Sequence, residues 1–133
     1  MKKILIALYL MSTSLISMAQ LPPTQGENSI QYIEGGVGSG ESEAIEKDAK
    51  KWPLLLEFSQ TNGASSEWVS GILLVIKDAA GVEVFSHPVD GPMILLNLKP
   101  GKYTIEASYG TQKKSFNFYS VSGQHQKMNI NWK

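Results

Sequence analysis

The sequence predicts an all-β protein: a seven-stranded antiparallel β-sandwich with one short N-terminal amphipathic helix. Residues 102–109 alternate polar and apolar side chains, which is the period of a strand with one buried face. From residue 54 onward, short apolar runs are separated by turns that contain glycine, proline or asparagine. Short strands separated by turns at such regular intervals are typical of two β-sheets packed face to face.

The chain begins with the features of a cleavable signal peptide over residues 1–19. Two lysines at positions 2 and 3 precede a short apolar run, and Ser17-Met18-Ala19 matches the small–x–small pattern that signal peptidase accepts. Polar residues interrupt the apolar run, whereas a membrane anchor needs about 20 apolar residues. We therefore expect cleavage after Ala19, a periplasmic or secreted location, and no membrane insertion of the mature chain.

The composition of the remaining 114 residues excludes several classes of function. They include ten lysines and twelve acidic residues, a formal charge of −2 that provides no basic surface for nucleic acid. The chain has no arginine, and hence no planar guanidinium to hold phosphate or carboxylate in a bidentate manner. It also has no cysteine, which excludes disulfides, thiol nucleophiles and thiolate metal ligands. We expect neither a metal nor another cofactor.

Several elements are predicted before the sandwich. Residues 20–29 are polar and contain a Pro-Pro pair, which predicts a flexible tail. Residues 30–53 predict a short strand, a glycine-rich joint and a helix at 41–51, whose acidic start and lysine-rich end suit the helix dipole. Ser39 is the expected N-cap of this helix, and Pro53 is its expected stop.

The glycine-rich joint, GGVGSGES at residues 35–42, differs by one letter from a phosphate-binding loop. Such a loop needs a lysine to neutralise the phosphates, whereas Glu41 stands at that position and would repel them. We therefore interpret the glycines as a sharp turn into the helix rather than as a nucleotide site.

The sandwich domain is predicted to span residues 54–133. Its strands are expected at 54–59, 69–77, 82–86, 92–98, 102–109, 112–119 and 126–132. Two of these strands contain runs that are apolar on both faces, so their outward side chains need a cover. These outward side chains are Leu73, Val75, Met93 and Leu95. We expect the helix to lie across them through Ile45 and Trp52, and a partner-binding or dimerisation surface is the alternative.

Three residues are candidates for contact with a ligand or partner: Trp68, His87 and Asp90. Trp68 lies in a polar segment, where its ring either is displayed for stacking on a sugar or peptide or folds over the sandwich end. His87 and Asp90 lie three residues apart in a predicted loop, and two such groups are too few for a metal site of known geometry. The sequence contains neither a nucleophile elbow nor a recognisable base beside a serine. We predict no catalytic residues and no enzyme.

A set of residues around the Pro-Gly turn resembles the carboxypeptidase regulatory-like domain. The set is Gly81, Asp90-Gly91-Pro92, Leu98-Lys99-Pro100-Gly101-Lys102-Tyr103-Thr104-Ile105 and Gly110. The resemblance covers roughly residues 54–132 and implies a transthyretin-like or Ig-like sandwich of about seven strands. The segment 32–53 resembles an extension found in small exported bacterial proteins that carry this one domain.

The resemblance also implies a non-catalytic role. In the parent enzymes this domain is an accessory to a zinc peptidase domain, and no peptidase domain is recognisable in this sequence. Transthyretin-like relatives that hydrolyse hydroxyisourate use histidine, arginine and a C-terminal Y-R-G-S signature. This chain has no arginine and ends in Asn129-Ile130-Asn131-Trp132-Lys133 instead.

We therefore expect a non-catalytic periplasmic or secreted binding module, whose partner is another envelope protein or a glycan. A small periplasmic hydrolase that uses His87 or His125 is one alternative. A self-associating structural protein of the envelope is another, with Leu73, Val75, Met93 and Leu95 as its contact surface.

Overall fold

The computed structural model describes residues 20–133, and the predicted signal peptide at residues 1–19 lies outside the described residues. The described chain forms ten strands, one α-helix and one turn of 3-10 helix. In chain order these are β1 (Gln25–Glu27), β2 (Ile30–Gly35), α1 (Ser39–Asp48), the 3-10 turn (Ala49–Lys51), β3 (Leu54–Asn62), β4 (Ser65–Trp68), β5 (Ile72–Lys77), β6 (Glu83–Val89), β7 (Met93–Leu96), β8 (Gly101–Tyr109), β9 (Gln112–Ser120) and β10 (Gln126–Trp132).

The strands form two sheets. The first sheet has the order β1-β2-β7-β3-β10, and β4 pairs with the end of β3 that extends beyond β7. The second sheet has the order β6-β5-β8-β9 and is entirely antiparallel. The protein is therefore mostly β, with two sheets and one short helix, as the sequence predicts.

The hydrophobic core lies between the two sheets and is built from alternate residues of each strand. Phe58 on β3, Leu74 on β5 and Trp132 on β10 are among its fully buried side chains. Burying a large apolar side chain stabilises a fold by roughly 1.5–3 kcal/mol. The chain has no cysteine, so this core stabilises the fold without disulfides.

The predicted strand count and the wholly antiparallel pairing are wrong. β3 continues to Asn62 and returns as β4 through a tight turn at Gly63, whose φ of 64° suits a two-residue hairpin. The polar side chains of this segment are typical of a loop, so the sequence does not predict the additional strand. β10 pairs with β3 in parallel, since the chain reaches β10 through the second sheet and not through a hairpin.

Part of the predicted flexible tail, residues 20–29, is instead strand β1. It pairs antiparallel with β2 through a turn in which Asn28 and Ser29 both have positive φ, at 49° and 67°. Leu21 packs beside the helix. The polar composition concealed this strand because an edge strand of a sheet needs to bury few of its side chains.

The helix α1 begins at Ser39, two residues earlier than predicted, and Gly38 is its N-cap in place of Ser39. Gly38 has a φ of 93°, a conformation that glycine adopts more readily than other residues. Glu41 Oε1 accepts a hydrogen bond of 2.7 Å from the backbone N–H of Gly36. The carboxylate that argues against a phosphate ligand thus satisfies a backbone donor in the glycine-rich turn.

Candidate functional site

The outer face of the first sheet has an apolar half and a polar half. Along β3, the outward side chains change from Leu55 to Glu57, Ser59 and Thr61, while the alternate residues face the core. The helix packs on the apolar half, over β2 and β7. The polar half is open as a shallow depression with a volume of about 350 Å³.

The helix α1 seals the apolar half. Ile45 is fully buried in a small cluster with Met93 and Leu95 of β7. Trp52 packs at the edge of this cluster, and its Nε1 donates a hydrogen bond of 2.9 Å to Asp48 Oδ2. The structure thus brings together four of the six residues of the predicted helix-docking surface.

Leu73 and Val75 lie elsewhere, and the prediction that they share one face with Met93 and Leu95 is wrong. Both belong to β5 in the second sheet, and Leu73 is 44% exposed on the outer face of that sheet. Outer faces of the two sheets point in opposite directions because the core lies between them. Alternation in a sequence shows which side chains share a strand face but does not show which sheet receives the strand.

The polar half is organised by four side chains of β3 and β10, here called the asparagine ladder: Ser59, Thr61, Asn129 and Asn131. Ser59 Oγ donates to Asn129 Oδ1 at 3.1 Å. Asn131 Nδ2 donates to Ser59 Oγ at 2.9 Å, and Thr61 Oγ1 donates to Asn131 Oδ1 at 3.1 Å. These bonds fix the rotamers of the ladder, so its polar groups are held in a defined arrangement.

Trp68 displays its ring beside the asparagine ladder. It lies opposite Ser59 in the β3–β4 pairing, and it is 54% exposed. The neighbouring Val69 is buried in the core at this end of the sandwich. Of the two arrangements expected from the sequence, the structure therefore has the displayed ring.

Trp68 borders two depressions. The polar one is also lined by Ser59, Ser66, Glu67, Asn129 and Asn131. The second depression, of about 310 Å³, is lined by Val37, Val69 and Pro92 together with Gly36, Gly38 and Ser70. An indole ring at this position can therefore be contacted by a ligand that extends across both depressions.

Lys127 lies at the boundary between the polar and apolar halves of the face. Its Nζ is 3.2 Å from Glu57 Oε1 and 3.9 Å from Glu46 Oε1 on the helix. The Glu57 side chain is only 4% exposed. Within the described residues, Glu57 Oε1 forms this ion pair but accepts no hydrogen bond. Lys127 therefore compensates these two carboxylates. Among the residues that line the polar depression, Glu67 is the charged one.

His87 and Asp90 meet at Glu34, on the seam between the two sheets. His87 lies in strand β6 and not in the predicted loop, and its Nε2 is 2.7 Å from Glu34 Oε2. Asp90 contributes its backbone N–H, which donates to the same oxygen at 2.9 Å. Since Glu34 belongs to the first sheet and His87 to the second, the pair links the sheets at their edge.

Aromatic rings enclose the imidazole of His87. The ring centroid of Tyr32 lies 4.8 Å away and that of Phe85 lies 5.9 Å away. Burial, and secondarily the charges of Glu34 and Glu27, raise the pKa of Tyr32. The Tyr32 hydroxyl therefore stays protonated and donates to Gln25 Oε1 at 3.1 Å.

His125, the other histidine of the hydrolase alternative, also has a structural contact. Its Nδ1 donates to the backbone carbonyl of Trp52 at 2.8 Å. Within residues 20–133, neither imidazole is hydrogen-bonded to a hydroxyl group that it could activate.

Glu34 and the asparagine ladder are not predicted from the sequence. A signal for the ladder does exist, since polar residues occupy the outward phase of both β3 and β10. That signal becomes meaningful only when the two strands are known to be neighbours, and they are about 70 residues apart in the chain.

Neither a metal-ligand cluster nor a membrane-spanning helix is found in residues 20–133. No group of three or more potential metal-ligating side chains occurs there. The helices of that region are too short or too polar to cross a bilayer. No protein-family model matches the chain, and no curated protein matches it.

Proposed function

We propose that this protein is an exported, non-catalytic binding module whose binding surface is Trp68 together with the asparagine ladder. The observation that carries the proposal is a displayed indole ring beside polar side chains held in place by their mutual hydrogen bonds. Both lie on paired strands, which hold a binding geometry more precisely than loops do. Aromatic rings with a few well-placed polar groups are the usual composition of a recognition site.

The proposed scaffold is a carboxypeptidase regulatory-like domain. The Pro-Gly turn of its motif lies between β7 and β8, where the chain passes from the first sheet to the second. Tyr103 of the motif supports this assignment, because its hydroxyl donates to the carbonyl of Lys99 at 2.8 Å and closes the turn. Burial, and secondarily the charge of Asp78, raise the pKa of Tyr103, so this donor stays protonated.

A binding role has better support than a hydrolase. The imidazole of His87 is engaged by Glu34 at the sheet seam, and its side chain is only 20% exposed. A catalytic base needs an accessible nucleophile within hydrogen-bond reach. We therefore assign His87 and Glu34 a structural role that joins the two sheets.

The test begins with the protein expressed from the full 133-residue sequence and purified from the extracytoplasmic fraction. Mass spectrometry of its N-terminus is expected to show cleavage after Ala19. Polysaccharide and solubilised-protein fractions of the native cell envelope are then titrated against the protein, with thermophoresis as the measurement. Wild-type protein is expected to bind one of these fractions.

The decisive comparison is between Trp68→Ala and Tyr119→Ala. Tyr119 is an aromatic residue of matched exposure, 56% against 54%, and it lies on β9 of the other sheet. Trp68→Ala is expected to weaken binding at least tenfold, which corresponds to about 1.4 kcal/mol. Tyr119→Ala is expected to bind as the wild type does. Equal binding by wild type and Trp68→Ala contradicts the proposal.

A further inference from the structure

The charges around Trp68 indicate which ligands its surface disfavours. Glu67 is the charged side chain that lines the polar depression, and the residues after the predicted cleavage site have a formal charge of −2. The chain has no arginine to grip an anionic group. These charges disfavour a polymer that carries carboxylates, sulfates or phosphates, whereas they do not act against a neutral polymer.

The hydrogen-bonding groups of the surface are neutral and of both kinds. Asn129 uses its carbonyl oxygen to accept from Ser59, which leaves the two N–H donors of its exposed amide available within the described chain. Ser66 lines the same depression from the opposite edge of β3, and its exposed hydroxyl both donates and accepts. Sugar hydroxyls are likewise both donors and acceptors, so they complement this set.

The position of Trp68 adds a requirement for an apolar ligand face. A pyranose ring has one face of C–H groups and a periphery of hydroxyls, and it matches an indole flanked by amides and hydroxyls. A protein anchor site instead surrounds its aromatic residue with apolar contacts that exclude water. Around Trp68 the ladder side is polar, and it is therefore better suited to a sugar than to an apolar side chain of a protein.

The openness of the site favours a polysaccharide as the ligand over a single sugar. Depressions of about 350 Å³ and 310 Å³ lie on either side of Trp68, and both are shallow surface features. A ligand that continues past the ring in both directions gains contacts in each of them. An isolated monosaccharide contacts only one.

We infer that the ligand is a neutral polysaccharide, with one sugar ring stacked on Trp68 and hydroxyls of different sugar units hydrogen-bonded to Asn129 and to Ser66. This inference rests on the proposed function and adds the chemical class of the ligand to it. It requires neither a metal nor a covalent step.

Affinity electrophoresis of the protein in native gels tests the inference directly. The gels contain one of four neutral polysaccharides of different linkage: laminarin, hydroxyethyl cellulose, galactomannan or amylopectin. Gels with polygalacturonate provide the anionic comparison. Wild-type protein is expected to be retarded by at least one neutral polysaccharide and not by polygalacturonate.

Variants assign any retardation to the site. Trp68→Ala and Asn129→Ala are each expected to lower the association constant at least tenfold. Tyr119→Ala, on the other sheet, is expected to migrate as the wild type does. Thermal melts of all three variants identify a loss of folding, which is not expected for exposed positions.

The outcomes separate this inference from the proposed function. Failure of every neutral polysaccharide to retard the protein overturns the inference, as does retardation that survives both Trp68→Ala and Asn129→Ala. If binding to an envelope protein fraction is nevertheless lost in Trp68→Ala, the proposed function holds with a protein as the ligand. If neither kind of ligand binds through Trp68, both proposals are wrong.

Discussion

Replacement of Ile45 by alanine tests whether the helix is an integral part of the fold. Ile45 is fully buried between α1 and the apolar half of the first sheet, beside Met93 and Leu95. Such a truncation of a buried aliphatic side chain costs 2–5 kcal/mol, through lost burial and the cavity that remains. The cluster contains only six buried residues and lies near the surface, so partial collapse is available to it. We expect a loss of about 3 kcal/mol.

Urea unfolding followed by tryptophan fluorescence and circular dichroism measures this loss. With an m-value of about 1.5 kcal/mol per molar urea, the midpoint is expected to fall by about 2 M. Coincident transitions by the two probes establish that unfolding is two-state. Lys47→Ala, at an exposed position of the same helix, is the matched control and is expected to change stability by less than about 0.5 kcal/mol.

Two outcomes of this experiment would refute the reasoning. A loss below about 1 kcal/mol for Ile45→Ala means that the helix does not protect the outer face of the sheet in solution. A large loss with a clearly lower m-value means that the helix has already detached in the folded variant, because m scales with the surface exposed on unfolding.

Two further variants test the close approach of the chain at a turn and one ion pair. In Gly91→Ala the new Cβ clashes with the carbonyl oxygen of Gly35, at a φ of 111°, so we expect urea unfolding to show a loss of at least about 2 kcal/mol. Gly63→Ala, at positive φ but in open space, is the control and is expected to lose about 1 kcal/mol. Equal losses in the two variants would contradict the clash. The hydrogen bond from Lys77 to Glu106, at 3.1 Å, lowers the pKa of that carboxyl below its ordinary value of 4.5. The ionised Glu106 carboxylate therefore contributes stability above pH 4.5, and this contribution is lost as the pH falls through the lowered pKa. When urea midpoints are measured from pH 7 to pH 2, Glu106→Gln is expected to show a smaller decrease of the midpoint with falling pH than the wild type does. An equal decrease in the two proteins would contradict this assignment.

Strand periodicity predicted those parts of the fold that depend on local sequence. Leu54, Leu56 and Phe58 alternate with outward residues in the sequence, as do Ile130 and Trp132, and all five are buried in the core. The physical reason is that a one-residue change of register would move every such side chain to the other face of its sheet. Burial of one face therefore leaves a pattern that a single sequence reveals.

Placement of strands within sheets could not be predicted in this way. Leu73 and Met93 both interrupt the alternation of an apolar strand, yet one is 44% exposed and the other is buried under the helix. The difference depends on which sheet each strand joined, and this is determined by contacts between segments far apart in the chain. Likewise, Ser59 and Asn129 become partners only because β10 lies beside β3 in parallel.

The division of the first sheet's outer face also limits where a ligand can bind. Leu55 begins the apolar half, and its burial under α1 contributes to stability, so that half is not available without the loss of part of the fold. Beyond Glu57 the outward residues of β3 are hydroxylic, and their mutual hydrogen bonds with Asn129 and Asn131 satisfy polar groups that need no apolar cover. Exposure of this second half therefore costs little stability while it keeps Trp68 and the ladder in fixed positions. A surface with these two properties can be rigid and open at once, which is why we place recognition there rather than on the helix-covered half.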